Sequence, residues 1–127
     1  MIEKQIYYHD TDAGGVVYYG NYLKYLEEAR TAYFESRGLG IRPFLARGLL
    51  YAVRSCNIQY KAPARYGDII TAEARVVSLT GASIVFAQTV RNRESGRVLV
   101  EAEVVLVCLN KAFRPCPLPA DIRGALA

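Results

Sequence analysis

Two carboxylates, Asp10 and Asp12, stand two residues apart at the end of an apolar stretch, and Gly14-Gly15 follows directly. The chain then runs through Val16-Val17-Tyr18-Tyr19 into Asn21-Tyr22, where a helical pattern begins. This order sets an ionised Asp beside the free N–H groups of a helix start. Such a pair can activate a nucleophile and hold the carbonyl it attacks. Asp, Thr and Gly also bend chains without doing chemistry, so the residue types alone leave Asp10 and Asp12 interchangeable. Tyr18, Tyr19 and Tyr22 tip the balance, because they set much aromatic surface around a polar turn.

Other chemistries find less support. Serine catalysis lacks a GxSxG elbow, and the single histidine, His9, is expected to face solvent beside the two acids. The glycines form neither a Walker nor a dinucleotide fingerprint. Cys56, Cys108 and Cys116 show no CxxC spacing and read as small buried hydrophobes, so no metal site is expected. Glu27 and Glu28 read as part of a polar helix face.

The elements that must position the acids follow from periodicity. Lys4 to Tyr8 reads as a short strand. A helix capped by Asn21 runs to about Arg37, with Tyr22, Tyr25, Leu26, Ala29, Ala32, Tyr33 and Ser36 on one stripe. Gly38 suits the left-handed residue that ends it. A strand from Tyr51 to Lys61 comes next. Ile70 to Val76 and Ile84 to Val90 then alternate cleanly, and Val98 to Cys108 gives the longest alternation of all. Pro115, Pro117 and Pro119 predict a tail lying extended over the surface. The order of strand, long helix and four strands predicts an α+β fold, a five-stranded antiparallel sheet around one helix. That helix cannot cover the whole sheet, so self-association is expected.

At 127 residues, a single domain spanning 1–127 is expected. No apolar run approaches the ~20 residues of a membrane span, so membrane insertion is not expected. The first residues lack a signal-peptide plan, which makes the cytoplasm the expected compartment. A net charge of +4, spread rather than striped, favours a small anionic ligand over nucleic acid.

The run Asp10-Thr11-Asp12-Ala13-Gly14-Gly15-Val16-Val17-Tyr18, with Asn21-Tyr22 and Glu28-Ala29-Arg30-Thr31, resembles the hotdog-fold acyl-CoA thioesterases. The nearest branch is the 4-hydroxybenzoyl-CoA thioesterase-like one that includes the YbgC type. The likeness continues through Tyr60-Lys61-Ala62-Pro63-Ala64-Arg65, Gly67-Asp68, Glu101-Ala102-Glu103-Val104, Arg114-Pro115 and Leu118-Pro119. The resemblance implies a hotdog fold and hydrolysis of an acyl-CoA thioester, with a short aliphatic or an aromatic acyl group. It places the catalytic carboxylate on Asp12, as nucleophile or as general base for water, and the carbonyl donor on the backbone N–H of Tyr19. It sets Tyr8 beside the site. Gly15, Val16, Tyr18, Lys61, Arg65 and Ser83 become candidates for binding substrate. No cofactor is implied, since coenzyme A is part of the substrate. The implied assembly is a homodimer pairing into a homotetramer, with an acyl carrier protein or an envelope complex as a further contact. In the YbgC branch a histidine usually stands where this chain has Tyr19; a backbone role survives that change. The alternative on the same scaffold is a non-catalytic module that binds acyl-CoA or acyl carrier protein.

Overall fold

The computed structural model describes residues 1–127. Its core is a five-stranded antiparallel sheet in the spatial order β1-β3-β4-β5-β2. The strands are β1 (Ile2–Gln5), β2 (Leu50–Tyr60), β3 (Ile69–Leu79), β4 (Ser83–Asn92) and β5 (Val98–Leu109). β3, β4 and β5 are consecutive hairpins, while β2 returns to pair with β5 and leaves its own other side as a sheet edge.

The long helix α1 (Asn21–Ser36) lies on one face of this sheet. Tyr22, Tyr25, Leu26 and Ala29 pack there against Ile70, Ala72, Val90 and Val100, the inward residues of the alternating strands. Farther along, Phe34 joins Ile84, Phe86, Val104 and Leu106 in a second cluster. α1 ends as expected at Gly38, whose φ of 71° lets Leu39 N–H reach Phe34 O at 2.9 Å and Gly38 N–H reach Glu35 O at 3.0 Å.

Several expectations are corrected. β1 is Ile2–Gln5, and Tyr8–Asp10 forms a 3₁₀ turn, because Asp10 Oδ2 accepts the Tyr7 N–H at 2.9 Å and curls the chain. Asn21 does not cap α1; Gly20 holds that place. The buried stripe of α1 takes in Arg30 and Phe34 in place of Ala32, Tyr33 and Ser36, which are partly or fully exposed. Cys56 is exposed rather than buried, because the outer side of β2 has no neighbouring strand.

The tail is the largest departure. The proline segment is extended, but Pro119 then caps a helix, α3 (Ala120–Leu126). Leu118, Ile122 and Leu126 are spaced four apart and bury one stripe against the Phe34–Phe86 cluster. A proline at a helix start sacrifices no hydrogen bond, so it begins this helix rather than forbidding it. A further short helix, α2 (Ile41–Ala46), had no counterpart among the expected elements; it inserts Phe44 against Tyr51, with ring centroids 4.1 Å apart.

Candidate active site

Asp12 sits at the tip of a tight hairpin. Its N–H donates to Val16 O at 2.9 Å, the N–H of Gly15 donates back to Asp12 O at 3.0 Å, and Thr11 bridges Val17 below. Gly15 holds φ at 77°, which an L side chain rarely adopts. The carboxylate is exposed, with Oδ1 accepting the Gly14 N–H at 2.8 Å. A Cβ on Gly14 would come within 3.1 Å of that oxygen, so the paired glycines let the turn close on the acid. One carboxylate oxygen is used by the turn; Oδ2 makes no hydrogen bond within the chain.

Asp10 is a different residue. It is 7% exposed; Oδ2 accepts the Tyr7 N–H, and Oδ1 lies 3.7 Å from His9 Nδ1. Its carbonyl oxygen accepts two donors from the helix side, Tyr18 N–H at 3.0 Å and Asn21 Nδ2 at 2.9 Å. Geometry thus separates two acids that residue type could not.

Beyond Tyr18 the chain enters α1 through short turns: Asn21 N–H donates to Tyr18 O, Tyr22 N–H to Tyr19 O and Leu23 N–H to Gly20 O. The N–H groups of Tyr19 and Gly20 donate to no protein acceptor. They lie at the positive end of a 16-residue helix, so they are suited to an oxygen that gains charge.

The segment after β2 completes the surroundings. Val17 N–H donates to Ala64 O at 2.9 Å, Ala64 N–H donates to Tyr22 Oη at 3.0 Å, and Val16 bridges Arg65. A cavity of about 270 Å³ opens between the two segments, lined by Val17, Tyr19, Tyr22, Tyr60, Lys61, Ala62 and Pro63. The rings of Tyr19 and Tyr22 lie 6.3 and 5.7 Å from that of Tyr60. Burial pushes up the pKa values of Tyr22 and Tyr60, and the neighbouring Tyr19 hydroxyl pushes up that of Tyr18. These phenols are therefore neutral donors at physiological pH. A larger, polar trough of about 460 Å³ lies on the sheet between Asn57, Arg75, Thr89 and Glu101.

Most of the expected site residues converge. Asp12, Gly15, Val16, Tyr18 and Tyr19 share one continuous segment, and Lys61 and Arg65 are brought to it by the pairing just described. Lys61 Nζ is 3.7 Å from Glu101, so its charge is partly answered. Tyr8 is next to the turn but 78% exposed, its ring set edge-on to Tyr66 at 5.9 Å. Ser83 does not join them within this chain. It begins β4, whose far end at Asn92 is the one near the Asp12 turn, and it is buried with Arg54 Nη1 at 3.4 Å. The alternation of β4 fixes the facing of Ser83 but not which end of the sheet meets the turn. Sequence reasoning also missed Tyr60, Ala62 and Pro63 as cavity walls, and Asn21 as a partner of Asp10.

Comparison with known proteins places this geometry. Residues 14–99 match the thioesterase superfamily model. An acyl-CoA thioester hydrolase YbgC of Escherichia coli O6:H1 is 37% identical over 93% of this chain and 88% of its own length. The acyl-CoA thioesterase YbgC of Haemophilus influenzae is 32% identical over 95% and 89%. A 1,4-dihydroxy-2-naphthoyl-CoA thioesterase from Synechocystis superposes with a TM-score of 0.89 at 25% identity, covering 98% of this chain and 93% of its own. The five strands and central helix are thus the hotdog arrangement, and the chain belongs to the thioesterase superfamily, among its YbgC-like acyl-CoA thioesterases.

Proposed function

We propose that this thioesterase hydrolyses acyl-CoA at the Asp12 turn, with Asp12 as nucleophile or general base and the N–H of Tyr19 polarising the thioester carbonyl. The observation that carries the reading is the pairing of an exposed carboxylate, fixed by a glycine turn, with unspent N–H donors at the start of α1. Attack converts the carbonyl oxygen to an oxyanion, and donors already fixed in place stabilise it without reorganising. The C–S bond then breaks, and coenzyme A leaves as a thiolate, a good leaving group that asks little of a general acid. Water supplies the oxygen of the carboxylic acid product, either directly or by opening an anhydride formed on Asp12. Neither route calls on a metal or redox cofactor.

The tyrosine-lined cavity beside Tyr19 suits a short aliphatic or an aromatic acyl group. Lys61 and Arg65 supply positive charge for the phosphates of coenzyme A. Tyr8, Gly15, Val16 and Tyr18 border the path between them. The free edge of β2, with Val53 and Tyr60 about half exposed, supports a homodimer completing the site and a further pairing into a homotetramer. Ser83 then serves only a site shared with another copy. We place the enzyme in the cytoplasm, and no helix is long and apolar enough to cross a membrane.

The test is hydrolysis of a panel of acyl-CoA esters by wild type and Asp12→Asn. Asparagine keeps the acceptor for the Gly14 N–H, so the turn and melting temperature are retained. The turnover number should fall by roughly 10²–10⁴. Full activity in Asp12→Asn removes the mechanism. Binding of the esters with no turnover by wild type favours a binding module instead.

A further inference from the structure

Asn21 opens α1, where its residue type suits a cap, yet its side chain turns away from the helix. Nδ2 donates at 2.9 Å to the carbonyl oxygen of Asp10, eleven positions earlier. The same oxygen accepts the Tyr18 N–H at 3.0 Å. These two bonds are the clasp at the base of the Asp12 hairpin, below the Asp12–Val16 bond nearer its tip. On the strand side the clasp is rigid, since Asp10 is 7% exposed and its carboxylate is held by Tyr7. On the helix side it has a consequence for the donors. Tyr18 N–H is consumed, and the next two N–H groups, of Tyr19 and Gly20, are left free.

We propose that Asn21 is a positioning residue for thioester hydrolysis, tying the Asp10 carbonyl to the first turn of α1 and so setting the separation of the Asp12 carboxylate from the Tyr19 N–H. The inference rests on the mechanism proposed above and adds a residue that touches no reacting atom. Without Nδ2 the Asp10 carbonyl keeps only the Tyr18 N–H, so the base of the hairpin pivots on that bond while the Asp12–Val16 bond still holds the tip. A misplacement of about 1 Å between reacting groups is enough to slow a reaction about 10²-fold. The groups assigned to coenzyme A, Lys61 and Arg65, lie outside the clasp, so the loss falls on kcat and leaves KM nearly unchanged.

Two variants test this. Asn21→Ala removes the donor and should lower kcat by roughly ten- to a hundredfold with KM nearly unchanged. Asn21→Asp keeps the shape but points an anionic acceptor at a carbonyl oxygen, so at pH 8 it should be at least as impaired as Asn21→Ala. As pH falls through the range where the new carboxyl protonates, it regains a donor. Its kcat, expressed as a ratio to wild type at each pH, should then rise. A purely structural role for Asn21 gives no such recovery. Amide hydrogen exchange at Tyr18 reads the clasp without turnover and should quicken at least about tenfold in Asn21→Ala, the equivalent of ~1.4 kcal/mol. Wild-type kcat in both variants, or unchanged exchange at Tyr18, overturns the proposal. If wild type cleaves no thioester, the proposed function fails on its own, while exchange at Tyr18 still decides whether Asn21 holds the turn.

Discussion

Replacing Gln88 by leucine should cost far more stability than replacing Gln88 and Arg30 together. Arg30 is 8% exposed and Gln88 2%, and they meet between α1 and β4. Arg30 Nη1 donates to Gln88 Oε1 at 2.9 Å, and Gln88 Nε2 donates to Leu26 O at 2.9 Å. Burial already holds the guanidinium pKa below its ordinary value. Gln88→Leu removes a bond to a charged donor, about 1.5–3 kcal/mol, and a neutral bond, about 0.5–1.5 kcal/mol. Leucine recovers some of this by apolar burial, but the buried guanidinium left unpaired adds a cost of similar size, so a net loss of about 2–4 kcal/mol is expected. For a chain of this size that lowers Tm by roughly 10 °C. The double variant Arg30→Met/Gln88→Leu leaves no unpaired charge and should lie within about 1 kcal/mol of wild type. Urea denaturation followed by circular dichroism, at one fixed protein concentration, gives the full cycle. A Gln88→Leu variant within about 0.5 kcal/mol of wild type, or additive single and double losses, would refute the reasoning.

Two other outcomes follow from the same geometry. Tyr19→Phe and Tyr19→His both keep the backbone donor, so acyl-CoA turnover should stay within about tenfold of wild type, equivalent to ~1.4 kcal/mol of barrier; a hundredfold loss would put the phenol itself into the mechanism. Stability should fall on the alkaline side: burial, with the Cys116 thiol 3.4 Å away, pushes the Cys108 pKa from 9.0 up to about 12. Between those values the unfolded chain has lost a proton that the folded chain retains, so stability declines as pH rises, by at most ~1.4 kcal/mol per pH unit from this group. Buried Tyr25 and half-buried Tyr51, also pushed up, act in the same direction at higher pH. Denaturation midpoints should be level from pH 7 to about 9 and fall above it; a level profile to pH 10.5 would contradict the burial of these groups.

Much of the fold was legible because its signals are local. The inward residues of β3, β4 and β5 alternate in the sequence as they do in the sheet, and Gly38 ends α1 where its φ demands. Misreadings arose where a local rule met a longer-range contact. Three prolines spaced two apart argue for extended chain, and residues 115–119 obey. The helix beyond them exists because Leu118, Ile122 and Leu126 find Phe34 and Phe86, more than thirty residues away in sequence. β1 was displaced by a single side-chain bond, from Tyr7 to Asp10.

The sequence by itself determined the turn that presents Asp12, the helix that begins behind it and the sheet that supports both. Each depends on residues within a few positions of one another, through glycine conformations, helical spacing and strand alternation. Only the tertiary structure decided that Asp10 holds the turn through Tyr7 and Asn21, that Tyr60 and Pro63 come to stand beside Tyr19, and that Ser83 lies at the other end of its strand. Those facts depend on which segments meet, and that is set by packing of the whole core rather than by any pattern along the chain.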